Sequence, residues 1–291
     1  MFSFDSDFFN KLNNINLKVR LRLSNGAQGG RKSQAKGVSV EFSDFREYVP
    51  GDDFRRIDWN AYGRFDKLFV KLFMEEREAI FNIFLDTSKS MDYGEANKSH
   101  MALKIAASLS YVVLNNLDRV YVNILNTKIE TTKAASGKLA FQRLLKELSQ
   151  TEFNGATDLS SAILKKNIKG RGVSIVISDF FTQGSLEKIE EAVKYLSYKK
   201  QSIILVQILS KEEREPELYG VLNLIDSETN EGVKVSVTPK LLKNYEEALK
   251  KYTRDLEELA KKYGGSFVQV NSEDEIDKVI LKNFTEKDLI Y

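Results

Sequence analysis

From Ala79 onward the chain alternates short apolar runs with longer segments of helical periodicity, and that alternation leaves few folds open. "AIFNIFLD", "VYVNIL", "VSIVISD", "SIILVQIL" and "SFVQV" read as strands. Helical patterns near residues 99–117, 138–149, 185–199 and 240–263, and a short last helix, separate or follow them. Such a series predicts an α/β fold: an open, mostly parallel sheet with helices on both faces. The segment "HMALKIAASLSYVVLNNL" is apolar nearly all round, as expected of a helix packed on the sheet and covered again by its neighbours. By contrast, the helix at 240–263 sets Leu241, Leu242, Tyr245, Leu249, Leu256 and Leu259 opposite Lys and Glu. It should lie at the surface and stop at Gly264 and Gly265.

Residues 1–78 have a different texture, and a domain boundary is placed between 78 and 79. Phe8, Leu12, Ile15, Val19 and Leu23 recur at spacings of three and four, which predicts an amphipathic helix. The glycine-rich basic stretch "SNGAQGGRKSQAKG" that follows has no periodicity and reads as an exposed, mobile loop. Residues 38–78 combine the strand-like pieces "VSVEF" and "LFVKLF" with a Pro50-Gly51 turn and many Arg and Asp residues. Within it, Arg46, Asp52, Asp53, Arg55, Arg56 and Asp58 are expected to pair around Trp59 and clasp the segment onto the domain.

Composition removes several functions. With 44 Lys plus Arg against 42 Asp plus Glu, there is no broad electrostatic reason to bind nucleic acid or anionic lipid. The absence of cysteine excludes disulfides and thiolate chemistry and suits a reducing cytoplasm. No apolar stretch approaches the roughly 20 residues of a membrane span, and "MFSFDSDFFNKL" lacks the pattern of a signal peptide. The single histidine, His100, has no G-x-S-x-G elbow to serve and is expected to be partly exposed near the start of a helix. "GAQGGRKS" misses a phosphate-binding loop because Arg31 replaces the glycine before Lys32 and Ser33, and no strand leads into it.

The chemistry concentrates at strand ends, where open α/β sheets bind their ligands. "FLDTSKSM" ends an apolar run at Asp86 and continues with Ser88 and Ser90, oxygen donors at alternate positions that an extended chain would point one way. "NGATDL" places Thr157 in a loop before a helix, and "VSIVISDF" ends a further strand at Asp179. Asp158 reads as a helix N-terminal residue. Magnesium prefers about six oxygens at roughly 2.0 to 2.1 Å and keeps water readily, so this set makes a plausible incomplete shell. Manganese fits the same hard donors, and calcium suits a compact site of few carboxylates less well.

These residues resemble the metal-ion-dependent adhesion site of von Willebrand factor A-like domains, with its D-x-S-x-S, threonine and aspartate loops. The resemblance implies Asp86, Ser88, Ser90, Thr157 and Asp179 as metal donors, Asp179 acting through water, and an acidic partner side chain completing the shell. Upstream, "REYVPGDDFRRIDW" together with "EERE" and "LDTSKSM" looks like a bacterial von Willebrand A-like family of unknown function, often encoded beside MoxR-type AAA+ ATPases. What that implies is a soluble, cytoplasmic, non-enzymatic protein-interaction module, an adaptor for such an ATPase in assembling or activating another complex. An alternative is a phosphatase using Asp86 as nucleophile, but Ser88 stands where the second aspartate would supply the acid-base step. Another is a structural scaffold that ignores metal.

Overall fold

The computed structural model describes residues 6–13, 41–74, 79–126, 129–134, 137–168, 170–181, 186–226, 232–287 and 289. The expected continuation of the N-terminal helix past residue 13, the basic glycine-rich loop and "EERE" lie outside the described residues. The chain divides into two compact units, one of Leu23–Glu78 and the other of Met1–Arg22 with Ala79–Tyr291.

The larger unit carries α1 (Ser6–Leu12) and then a sheet with its helices. In chain order these are β3 (Ile80–Asp86), α3 (Lys98–Asn115), β4 (Arg119–Leu125), β5 (Ile129–Ala134), α4 (Lys138–Ser149), α5 (Leu159–Lys165) and β6 (Gly172–Ser178). There follow α6 (Leu186–Tyr198), β7 (Gln201–Leu209), α7 (Lys211–Arg214), β8 (Gly220–Ile225), β9 (Gly232–Val237), α8 (Pro239–Lys262) and β10 (Ser266–Asn271). The last helical stretches are Ile276–Lys278, a π-helical Val279–Asn283 and Phe284–Glu286.

The sheet order is β10-β7-β6-β3-β4-β5, and only the edge pair β4–β5 is antiparallel. The central strands are buried along almost their whole length, as a sheet covered on both faces requires. Alternate residues feed two cores. Phe81, Ile83 and Leu85 of β3, with Val173, Ile175 and Ile177 of β6, join α1, α3 and α4. Phe84 and Val176 point into the other core, with α5, α6 and Leu256, Leu259 and Ala260 of α8. In the first core α3 is buried on nearly every side, while α8 buries one stripe in the second and ends where Gly264 adopts φ 68°. β8 and β9 form a separate, largely exposed antiparallel hairpin.

The smaller unit pairs β1 (Glu41–Glu47) antiparallel to β2 (Phe69–Met74). Between them lie a 3-10 turn, Phe54–Arg56, and α2 (Trp59–Phe65). Its acidic residues act locally. Asp53 and Asp58 cap those two helical turns, Asp58 also meets Lys71 at 3.1 Å, and Asp52 accepts from Arg46 at 2.8 Å. The expected enclosure of Trp59 does not form, because its indole is 64% exposed and packs edge-on against Tyr62. Capping of backbone N–H groups outcompetes pairing with Arg55 and Arg56, since a cap satisfies an otherwise orphaned donor.

Candidate metal centre

β3 and β6 are parallel neighbours with Leu85 opposite Ile177, so their last residues emerge side by side. The chain then leaves β3 toward α3 in one core and leaves β6 toward α6 in the other. In open α/β sheets the carboxyl ends of strands whose connections diverge in this way are where ligand crevices form, and here that point lies between β3 and β6. Asp86 and Asp179 flank it, each 1% exposed. Ser178 Oγ donates to Asp86 Oδ2 at 2.6 Å, and Ser88 N–H donates to Oδ1 at 3.0 Å.

Past Asp86 the backbone does not stay extended. Lys89–Met91 forms a 3-10 turn after Ser88, and this turn, in place of a strand pleat, brings the Ser88 and Ser90 hydroxyls to 3.0 Å from one another. The threonine loop is tied to the same turn by Asn154 N–H to Thr87 C=O at 3.0 Å and Lys89 N–H to Gly155 C=O at 2.8 Å. Thr157 Oγ1 donates to Leu125 C=O at 3.0 Å, which spends its proton on the scaffold and leaves its lone pairs for other use. Asp158 caps α5 through Ser161 N–H, as expected of a helix N-terminal residue.

On the third loop, Phe180 has φ 63° and is 1% exposed. A buried aromatic in the left-handed region needs its surroundings to hold it there. Ser178 Oγ accepts from its N–H at 2.9 Å, and Tyr252 O–H donates to its carbonyl at 2.6 Å. That contortion aims Asp179 inward: Oδ1 accepts from Phe181 N–H at 2.9 Å and Oδ2 from Lys98 Nζ at 2.7 Å.

All five residues singled out from the sequence thus sit on one rim, in three loops joined by hydrogen bonds. Burial, and secondarily the neighbouring Asp179 carboxylate, raise the Asp86 carboxyl to about 6. Two buried carboxylates with hydroxyl oxygens suit a hard divalent cation, which would stabilise their ionised forms. No group of three or more His, Cys, Asp or Glu residues able to hold a metal occurs among the described residues, so an ion here would depend on hydroxyls and water for the rest of its shell.

Sequence reasoning missed Ser178, Lys98 and Glu213. Lys98, fully buried at the first position of α3, places its ammonium 2.7 Å from Asp179 and 2.5 Å from Glu213. Burial opposes its charge, but Asp179 and Glu213 outweigh that and raise its pKa. Burial likewise raises Glu213, against the pull of Lys98. The visible signals were a lysine at a helix start, against the helix dipole, and the S-x-x-E capping box of Ser210 and Glu213. His100 is exposed in the first turn of α3, as expected. Among the described residues no helix is long and apolar enough to cross a membrane.

"Uncharacterized protein Rv1480" of Mycobacterium tuberculosis is 24% identical over 253 residues, covering 84% of this chain and 78% of that protein. Among solved structures, the conserved hypothetical protein BatB from Bacteroides thetaiotaomicron aligns with a TM-score of 0.44 at 16% identity, over 72% of this chain and 98% of that one. The SpRpn10 VWA domain aligns with a TM-score of 0.37 at 8% identity, over 70% and 94%. The family described as "Protein of unknown function DUF58" matches residues 44–255, from β1 in the smaller unit well into α8, and the chain belongs to that family.

Proposed function

We propose that this protein is a non-enzymatic, metal-dependent interaction module of the von Willebrand A-like kind, in which a magnesium or manganese ion at the sheet rim receives an acidic side chain from a partner protein. The observation that carries this reading is that Asp86, Ser88, Ser90, Thr157 and Asp179, drawn from three separate loops, lie on one rim of the sheet with their loops linked by hydrogen bonds. When bound, the ion would supply an electrophilic position that a partner's carboxylate can occupy. The protein's own groups hold the donors still. Ser178 and the Ser88 N–H fix both oxygens of Asp86, Leu125 orients the Thr157 hydroxyl, and the Tyr252 hydroxyl pins the loop that presents Asp179.

The same rim argues against the phosphatase alternative. The position two residues on from Asp86 is Ser88, which bonds Ser90 and offers no carboxylic acid for the leaving group. The partner we propose is a MoxR-type AAA+ ATPase, or the client that such an ATPase remodels. Support comes from the "REYVPGDDFRRIDW" string that the family resemblance rests on, which begins within the matched residues 44–255. Purified MoxR-type ATPase from the same organism should bind the wild-type protein in magnesium and lose binding in EDTA or on Asp86→Ala. Equal binding with and without the ion would favour a metal-independent scaffold.

A further inference from the structure

Lys98 breaks three rules at once. It is a lysine with no exposed surface, it opens a helix whose N-terminal dipole repels cations, and it stands beside a crevice suited to a metal ion. A residue so placed needs strong compensation, and the compensation is visible. Asp179 Oδ2 at 2.7 Å and Glu213 Oε1 at 2.5 Å flank its ammonium, and the rings of Tyr93 and Phe181 each lie 5.9 Å from Nζ. The four partners come from three places on the rim: Tyr93 from the β3–α3 connection, Asp179 and Phe181 from the end of β6, Glu213 from α7.

Neither acidic partner depends on the lysine for its place. Glu213 Oε2 accepts from Ser210 N–H at 2.8 Å in the capping box of α7. The α7 cap is itself packed against the β3–α3 loop, where Gly94 has φ 90° and an added Cβ would meet Ser210 Cβ at 2.8 Å. Asp179 is fixed by the Phe181 N–H and the contorted Phe180 backbone. What Lys98 adds beyond geometry is therefore a positive charge, held beside one of the two carboxylates that face the crevice.

We infer that Lys98 is a positioning residue that sets the affinity of the rim for divalent cations: it takes one oxygen of Asp179 and offsets its charge, keeping ion binding weak. The inference rests on the metal-centre reading above and deepens it. A cation entering between Asp86 and Asp179 meets a carboxylate already shared with an ammonium, so its own attraction to Asp179 is reduced. Lys98→Gln removes the charge and puts in place of the ammonium a neutral amide, one bond shorter, whose NH2 can donate toward the same carboxylates. Glu213→Gln does the reverse, leaving the ammonium to Asp179 alone.

The test is calorimetric titration of the full chain with magnesium chloride and, separately, manganese chloride, alongside thermal unfolding in EDTA. Lys98→Gln should bind either ion at least about tenfold more tightly than wild type, because a unit charge a few ångströms away in a low-dielectric crevice is worth that much or more. Glu213→Gln should bind several-fold more weakly, and Lys98→Arg should stay close to wild type. A lysine that merely holds the loops together predicts something else: both charge-removing variants melt lower, and both bind the ion no better than wild type. That shared loss would overturn the inference. Should Lys98→Gln not fold, Glu213→Gln decides, and unchanged or tighter binding by it counts against the proposal. A wild type silent to both ions with a Lys98→Gln variant that binds would uphold the role of Lys98 while refuting a metal-dependent wild type. Silence in both would refute the two together.

Discussion

Asp86 dictates how the rim responds to pH. Its carboxyl is raised from 3.8 to about 6, first by burial and then by Asp179, so over that interval the folded chain retains a proton that the unfolded chain has released. Folding then takes up a proton, and the stability due to Asp86 is full below about 3.8 and lost as pH rises through about 6. Asp86→Asn, compared with wild type in EDTA, should therefore gain relative stability between about pH 4 and about pH 7, read as a melting-temperature difference that grows with pH. A difference that stays flat would remove the burial argument. At this scale, Asp86, Ser88, Ser90, Thr157 and Asp179 were legible because oxygen-bearing residues at strand ends stand out against apolar runs. Lys98 was not, because its meaning lies in contacts 81 and 115 residues away that no local pattern encodes.

Among the elements, the legible ones are those the core demands. β3, β6 and β7 are apolar on both faces, and α4, α6 and α8 carry a clear apolar stripe, so burial writes itself into the sequence. β5, with the polar "IETTKA", and the exposed β8–β9 hairpin escape notice because little covers them and no apolar pattern is needed. α2 is hidden for another reason: it is seven residues long, has no buried residue, and begins at Asp58 through capping more than through periodicity. The element on which the rim most depends is the Asp179–Phe181 turn, which Tyr252 of α8 holds from behind. Tyr252→Phe leaves the Phe180 carbonyl without that donor and should cost about 1 to 2 kcal/mol in urea unfolding. An unchanged midpoint would show that the turn holds its conformation without α8.

For the molecule as a whole, the alternation of strands and helices after Ala79 foretold a mostly parallel sheet, and the sheet order puts the predicted rim at the divergence of β3 and β6. The smaller unit was readable as ordered but not in detail, since its charges cap and pair locally while Trp59 faces outward. Asp58→Ala should accordingly destabilise that unit by about 1 kcal/mol, whereas Trp59→Ala should stay within about 0.5 kcal/mol, both read by denaturant unfolding. A large loss from Trp59→Ala alone would mean that the indole is covered in solution. If the rim holds a divalent ion, isothermal titration of magnesium should show one saturable site in the wild-type protein and none in a folded Asp86→Ala variant. Equal binding by the two, or none by the wild type, would overturn the metal site.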